Sequence, residues 1–366
     1  MIETSKSGAE GRLRAAIEPF VDRHELAGAV MLAATPERIL AHETVGWANV
    51  ARREPMPPDA LFWIASQTKP MTATCVMMMI DEGWVSLDDP LEKYLPELRG
   101  LRWVASQDEQ QTVLRAPAAP PTIRQALAHT AGFRFSTPLE QPTLDRFALV
   151  DAVRGYGLVP LDYEPGSRYQ YSNIGTNVVA RIVEIVCGQP FEDYLQSRVL
   201  DPLGMSETTF WPTAAQIQRL PSVYGPNAAG DGLNEQRHTQ LRYPLDDRRT
   251  RYALPAGGLF STAHDCLAFL RLLVHGGVHE GRRLLSAEAV AHMTQRQTPP
   301  ELDESYGLGL AVWPGGYGHG GAAGTHMSVH VEDDLLLVWL VQHGGFPGRG
   351  AEAQEAFVRA AKDLPR

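Results

Sequence analysis

The chain has 366 residues, of which 44% are hydrophobic and 21% are charged, and its formal net charge is −10. This composition is typical of a globular protein that buries a substantial core. The acidic balance argues against nucleic acid as a partner, because phosphate binding needs a basic surface. Three widely separated cysteines provide neither a disulfide framework nor a C-x-x-C metal motif.

The N-terminal part of the chain predicts one helix, two strands and a second helix. Apolar residues at helical spacing predict an amphipathic helix over 9–23, and residues 28–34 and 39–50 are strand-like. The apolar stretch from Met71 to Gly83 predicts a helix that is buried on most sides. The first 20 residues lack a signal-peptide apolar run, and no stretch reaches the ~18 apolar residues of a membrane span. We therefore expect a cytoplasmic protein without membrane contact.

The middle and the C-terminal part of the chain differ in their patterns. Helices are predicted over 122–133, 172–188 and 261–277. Residues 212–255 show little periodicity, and a loop of that length is usually functional or mobile. The C-terminal part predicts strands over 306–313, 324–332 and 335–343, followed by a closing helix over 351–364.

Two predicted strands at the start and three at the end enclose a helical middle. The simplest arrangement is one antiparallel sheet that is assembled from both ends of the chain. We therefore predict a mixed α/β fold, with an antiparallel sheet of five or more strands that is flanked by helices. The sheet domain would comprise residues 1–62 and 250–366. The mainly helical domain, which has long loops, would comprise residues 63–249, and the active site would lie between the two domains.

The segment "ASQTKPMTA" contains the first candidate for catalysis. Ser66 and Lys69 are three residues apart, which on a helix places both side chains on one face. A nucleophilic serine needs a base, and a lysine serves only if its pKa is lowered, for instance by burial. With 15 serines and four lysines in the chain, an S-x-x-K match would arise by chance in roughly one such sequence in six. A helix-capping serine beside a solvated lysine is the alternative.

Two further segments carry polar groups that can face a cleft. Tyr171 immediately precedes the predicted helix 172–188 and offers a phenol. Asn173 lies in the first turn of that helix and offers an amide. The glycine-rich stretch 316–326, between predicted strands, contains His319-Gly320-Gly321. Taken singly, Tyr171 and Asn173 are better explained by packing and capping, and His-Gly-Gly is a weak signal because it occurs three times in the chain. His129 is expected to be a structural hydrogen-bonding residue.

The order S-x-x-K, Y-x-N and a late glycine-rich H-x-G resembles the serine β-lactamase and penicillin-binding-protein superfamily, most closely its class C-like esterase branch. Segments such as "PGSRYQYSNIGTNVVARIVEIVCG" and "PAGGLFSTAHDCLAFLRLLVHGG" extend the resemblance over residues 25–345. The resemblance implies a serine hydrolase that works through an acyl-enzyme.

By the same resemblance, Ser66 is the expected nucleophile, Lys69 its proton partner and Tyr171 a second acid and base. Asn173 and the third motif, His319-Gly320-Gly321, are expected to bind substrate. The oxyanion hole is expected to consist of the amides of Ser66 and Ala322.

The third motif departs from the pattern of β-lactamases and wall peptidases, which carry K-T-G there. His319 stands in place of the lysine that grips a substrate carboxylate, and a histidine is only partly charged near neutral pH. We therefore expect a carboxylesterase that acts on small esters. Amide hydrolysis or acyl transfer, as by a D-amino-acid amidase, a peptidase or a weak β-lactamase, is the alternative. A non-catalytic scaffold or ligand sensor is a second alternative, and oligomeric state stays open.

Other candidate sites receive less support. His326 and His330 share a face of a predicted strand, but no H-E-x-x-H or Cys/His spacing accompanies them, so we expect no metal. We also expect no cofactor. Trp313 and Tyr317 could line an acyl pocket, although packing in the core or at a sheet edge is the simpler interpretation.

Overall fold

The computed structural model describes residues 11–366 of the chain. The helices are α1 Arg12–Asp22, α2 Thr68–Asp81, α3 Ile123–Leu127, α4 Leu149–Tyr156, α5 Asn173–Cys187, α6 Phe191–Leu195, α7 Ala214–Ile217, α8 Ala263–Val274, α9 Ala287–Thr294 and α10 Ala353–Lys362. Residues 9 and 10 of the first predicted helix lie outside the described part. The predicted helices over 9–23, 122–133, 172–188, 261–277 and 351–364 correspond to α1, α3, α5, α8 and α10.

The strands are short except in the main sheet. They are β1 Gly28–Ala34, β2 Ile39–Asn49, β3 Glu54–Pro55, β4 Phe62–Trp63, β5 Trp103–Gln107, β6 Thr112–Arg115, β7 Val223–Pro226, β8 Leu233–Gln236, β9 Phe260–Ser261, β10 Val278–His279, β11 Arg282–Arg283, β12 Ala311–Trp313, β13 Gly316–Gly320, β14 His326–His330 and β15 Leu335–Leu340.

The main sheet has seven antiparallel strands in the order β12-β13-β14-β15-β1-β2-β3. Strand β1 pairs with β15, and Val30 lies opposite Leu340. The predicted antiparallel sheet of five or more strands, built from both ends of the chain, is therefore confirmed.

Two boundaries near the third motif differ from the sequence prediction. Of the predicted strand 306–313, only Ala311–Trp313 forms a strand, and residues 316–320, expected to connect strands, themselves form β13. A Cβ atom at Gly318 would lie 2.4 Å from the carbonyl oxygen of Met327 on β14, so only glycine allows the two strands to approach this closely. Glycine is rare in strands, and its abundance here conceals the strand in the sequence.

The two faces of the main sheet are covered differently. Alternate residues of β1 point to opposite faces: Met31 packs with Leu13 of α1 and Phe357 of α10, whereas Val30 and Leu32 belong to the larger core that includes α2, α5 and α8. That larger core continues from the sheet into the helical segment, and the division into two domains stays a prediction. Within residues 11–366, no helix combines the length and apolar character needed to cross a membrane.

The segment 212–255 contains more structure than its sequence indicates. It includes α7 and the hairpin β7–β8. Near its end, the Nε atom of Arg251 donates to Asp145 at 2.6 Å, and both side chains are at most 1% exposed. Arg251 also donates to the carbonyl of Phe210. A buried ion pair therefore connects this segment to the loop before α4.

Candidate active site

Ser66 lies in a 3₁₀ turn, Ala65–Gln67, that leads directly into α2. Ala65 has a φ of 46°, which is uncommon for a residue with a Cβ atom. The hydroxyl of Thr68 donates to the carbonyl of Ala65 at 2.7 Å and holds the turn. A conformation of this kind costs about 1–3 kcal/mol and is found most often at functional sites.

Lys69 is buried immediately below Ser66, with 1% of its surface exposed. Its Nζ atom donates to Oδ1 of Asn173 at 2.7 Å and to the carbonyl of Ala256 at 2.8 Å, and it lies 3.2 Å from Oγ of Ser66. The first two partners are oxygens that can only accept. The third contact is therefore left for the serine hydroxyl.

The surroundings of Lys69 favour the neutral amine. Burial lowers the pKa of Lys69 well below its usual value, and the two oxygens that it contacts on Asn173 and Ala256 belong to uncharged groups. A neutral amine has two N–H bonds and one lone pair. Its hydrogens then satisfy Asn173 and Ala256, and its lone pair accepts the hydroxyl hydrogen of Ser66. The contacts match the requirements of a base that receives the proton of this serine.

The phenol of Tyr171 borders the same amine. Nζ of Lys69 lies 4.6 Å from the centre of the tyrosine ring. Burial raises the pKa of Tyr171, and the neighbouring hydroxyl of Ser66 opposes this shift only partly, so the phenol keeps its proton. The ring of Phe135, which is 43% exposed, stacks on the outer side of Tyr171 with a centroid distance of 6.3 Å.

Tyr171 and Asn173 flank Ser172, the N-cap residue of α5. The hydroxyl of Ser172 accepts from the amide of Gly175 at 3.2 Å, which caps the helix. The amide of Ser172 donates to Nδ1 of His129 at 3.2 Å. His129 therefore makes the structural hydrogen bond that the sequence predicts. The oxygen of Asn173 accepts from Lys69, which leaves its Nδ2 group for a substrate.

His319 lies on β13, and its hydrogen bonds determine which nitrogen carries the hydrogen. Nδ1 is 2.6 Å from the carbonyl oxygen of Gly320, which can only accept, so Nδ1 is the donor. Nε2 then has the lone pair and accepts from the hydroxyl of Tyr306 at 2.9 Å, while the hydroxyl of Tyr171 is 3.5 Å away. Burial lowers the pKa of His319 to about 3. The imidazole is therefore neutral and provides no fixed cation.

The loop after β13 packs against the residues that precede the nucleophile. A Cβ atom at Gly321 would lie 2.4 Å from the carbonyl oxygen of Ile64, so glycine is required for this approach. Ala322 follows on the exposed side of the loop. Among residues 11–366, no hydrogen-bond acceptor contacts its amide. Ala322 also borders a cavity of about 400 Å³ that is lined by Trp63, Val223, Gln236, Arg237, His238, Thr239, Gln240, Ala323, His343 and Gly344.

The structure thus brings together Ser66, Lys69, Tyr171, Asn173 and His319, and it places the loop with Gly321 and Ala322 beside them. Sequence reasoning missed two members of this cluster. Ala256 contributes a backbone carbonyl, for which no side chain is a signal. Tyr306 occurs in the segment "YGLGL", in which no motif with a chemical role marks the tyrosine.

The remaining candidates lie outside this cluster. Tyr317 is 8% exposed and packs in the core, whereas Trp313, on the edge strand β12, packs against the ring of His330. Nε2 of His330 is 3.2 Å from the hydroxyl of Ser328. The described part of the chain contains no group of three or more His, Cys, Asp or Glu side chains arranged to hold a metal ion.

The chain is similar to known proteins in sequence and in fold. Penicillin-binding protein 4 of Amycolatopsis lactamdurans is 32% identical over 330 residues, which cover 86% of this chain and 76% of that protein. Lovastatin esterase of Penicillium rubens is 27% identical over 316 residues, which cover 80% and 74%. The solved structure of EstCE1, a hydrolase with promiscuous acyltransferase activity, matches with a TM-score of 0.79 and 22% identity over 96% of this chain and 97% of that one. The Beta-lactamase family model matches residues 13–361, and the chain belongs to that family.

Proposed function

We propose that this protein is a serine hydrolase that forms an acyl-enzyme on Ser66 and acts mainly on small carboxylic esters. The observation that carries the proposal is the buried amine of Lys69, 3.2 Å from Oγ of Ser66, with two of its contacts fixed by neutral acceptors. Lovastatin esterase, at 27% identity, supports the ester preference.

In the acylation step, Ser66 attacks the carbonyl carbon of the ester and transfers its proton to Lys69. Tyr171 gives its phenolic hydrogen to the leaving alcohol oxygen as the ester bond breaks, and the Lys69 ammonium restores the proton of the tyrosine. Positioned proton transfer of this kind contributes typically 10²–10⁴-fold to rate. Water then attacks the acyl-enzyme with the same groups as base and acid, and the carboxylic acid leaves.

The amides of Ser66 and Ala322 are the proposed donors to the oxyanion that forms in both steps. Support comes from the amide of Ala322, which has no acceptor within residues 11–366, and from the close packing of Gly321 against Ile64. Removal of one such donor typically costs about 10²–10³-fold in kcat.

Ester substrates are favoured because the site lacks a fixed cation at the third motif. The neutral His319 cannot form an ion pair with a substrate carboxylate, which β-lactam antibiotics and wall peptides carry. Amide hydrolysis is the second candidate, and the identity of 32% to a penicillin-binding protein favours it. Parallel assays with p-nitrophenyl butyrate, nitrocefin and a D-alanyl amide distinguish these activities. If the protein is a non-catalytic scaffold or ligand sensor, none of these three substrates should be hydrolysed.

The decisive variant is Ser66→Ala, for which we expect hydrolysis of p-nitrophenyl butyrate to fall by about 10³-fold or more. Ser206→Ala, which removes an exposed serine hydroxyl, is the matched control and should keep the parental rate. Mass spectrometry after exposure to a fluorophosphonate should show one adduct, on Ser66. Undiminished hydrolysis by Ser66→Ala would show that another group is the nucleophile.

A cytoplasmic location, a small-molecule substrate and the absence of nucleic-acid and membrane partners also belong to this proposal. The net charge of −10 argues against nucleic acid, no stretch of the sequence reaches the ~18 apolar residues of a membrane span, and the substrate class follows from the family. Fractionation of the producing cells tests the location directly.

A further inference from the structure

Tyr306 is a buried tyrosine whose hydroxyl has one protein partner. The residue is 3% exposed, and its hydroxyl donates to Nε2 of His319 at 2.9 Å. No other hydrogen bond of this hydroxyl occurs within residues 11–366. Within these residues, the Tyr306 hydroxyl therefore acts on His319, which lies at the edge of the proposed reaction site.

Nε2 of His319 can accept one strong hydrogen bond, because Nδ1 is committed as donor to the carbonyl of Gly320. Two phenols approach this single lone pair. The hydroxyl of Tyr306 lies at 2.9 Å and that of Tyr171 at 3.5 Å, at the outer limit of a hydrogen bond. Tyr306 therefore occupies the lone pair, and the hydrogen of Tyr171 is left for another acceptor.

The two phenols are held side by side. The ring centroid of His129 lies 4.6 Å from that of Tyr171 and 4.7 Å from that of Tyr306. Tyr169 packs on the Tyr306 ring at 5.8 Å. Burial raises the pKa of Tyr306 well above its usual value, so its hydroxyl stays protonated and remains a donor.

We propose that Tyr306 is a positioning residue that occupies the lone pair of His319 and so directs the phenolic hydrogen of Tyr171 toward the leaving group. This inference rests on the proposed hydrolase function. Without the Tyr306 hydroxyl, Tyr171 becomes the nearest donor to Nε2, and its hydrogen turns away from the ester.

The effect depends on the leaving group. An alkyl ester releases an alkoxide oxygen, which is strongly basic and must take the hydrogen of Tyr171 as its bond to the acyl carbon breaks. The Lys69 ammonium then returns the Ser66 proton to Tyr171, and all protons balance. A p-nitrophenyl ester releases a stable phenolate that needs no proton. Only the alkyl ester should therefore depend on Tyr306.

The test compares kcat/KM of the full chain for ethyl butyrate and p-nitrophenyl butyrate, which share an acyl group. For Tyr306→Phe we expect about a tenfold loss with the ethyl ester and less than about a twofold loss with the p-nitrophenyl ester. Tyr163→Phe is the matched control. It removes a similarly buried hydroxyl, which donates to the carbonyl of His129, and it should change both esters equally or neither.

A second comparison uses a chain without the imidazole. In the His319→Ala background, Tyr306→Phe should no longer change the ratio of the two kcat/KM values, because no lone pair remains to divert Tyr171. An equal loss with both esters, or the same change of ratio in both backgrounds, overturns the proposal. Tyr306→Met, which also lacks the hydroxyl, replaces Tyr306→Phe if the latter is not recovered folded.

The same assays separate failure of this inference from failure of the proposed function. If Ser66→Ala hydrolyses both esters as the parent does, the proposed function is wrong whatever Tyr306 does. If hydrolysis requires Ser66 but the ratio of kcat/KM for the two esters does not change in Tyr306→Phe, only the positioning role is wrong.

Discussion

The two sides of Ser66 each carry a buried nitrogen base, yet their hydrogen bonding is opposite. Burial lowers the pKa of both Lys69 and His319. The neighbours of Lys69 accept its hydrogens and leave its lone pair to the serine. The neighbour of His319 is a donor, Tyr306, which occupies the imidazole lone pair. Of the two bases, only Lys69 is therefore free to accept a proton from Ser66.

This contrast shows that a low pKa alone does not make a catalytic base. The availability of the lone pair is decided by adjacent groups that themselves undergo no chemistry, namely Asn173, Ala256 and Tyr306. Variants that remove or reverse those hydrogen bonds should therefore distinguish the role of Lys69 from that of His319.

The largest effect is expected for Lys69→Met, which keeps most of the length of the buried side chain but removes the base. We expect kcat/KM for p-nitrophenyl butyrate to fall by about 10³-fold, because Ser66 then has no proton acceptor. Lys93→Met is the matched control, since Lys93 is exposed and pairs with Asp89 on the surface. A thermal melt of each variant checks the fold. Retention of more than a tenth of the activity would assign the base to another group.

An intermediate effect is expected for Asn173→Asp, which places a carboxylate at the position that accepts from Lys69. The negative charge favours the ammonium and raises the pKa of Lys69. Because the reaction needs the neutral amine, activity at a pH well below the original pKa falls about tenfold for each pH unit by which the pKa increases, and it recovers as pH increases.

The measurement for Asn173→Asp is the profile of kcat/KM against pH. Its acid limb should move to higher pH while the plateau is retained. A uniform loss at every pH would show that Asn173 acts on the substrate and not on Lys69.

The smallest effect is expected for His319→Gln, which replaces one neutral acceptor by another. Since the pKa of His319 is about 3, its titration lies below the range in which Lys69 controls the rate. We expect a few-fold lower kcat/KM and an acid limb that moves by less than about half a unit. A shift of more than one unit would mean that the imidazole is the group whose protonation stops the reaction.

Much of the site could be predicted from the sequence because its members occur in spaced motifs. Ser66 and Lys69 lie at helical spacing, and Tyr171 and Asn173 flank a capping serine. The antiparallel sheet followed from strand-like segments at both ends of the chain. These features depend on local periodicity, which a single sequence records.

Other features are set by contacts between distant segments and leave no local pattern. The carbonyl of Ala256 meets Lys69 across 187 positions of sequence. Strand β13 was missed because its glycines serve the close approach of β14. Arg251 appeared to belong to an irregular segment, whereas the fold buries its charge against Asp145. Each of these depends on which segments meet, and periodicity carries no information about that.

The central pairing of β1 with β15 has a consequence for synthesis. The paired residues Val30 and Leu340 are 310 positions apart, so β1 leaves the ribosome long before its partner is translated. Until then one edge of β1, an entirely buried strand in the finished protein, has no partner, and an unpaired apolar edge invites association with other chains. The motif around Ser66 also emerges before His319 and Tyr306. The nascent chain therefore acquires its complete reaction site only after β13 and the loop with Ala322 have been made.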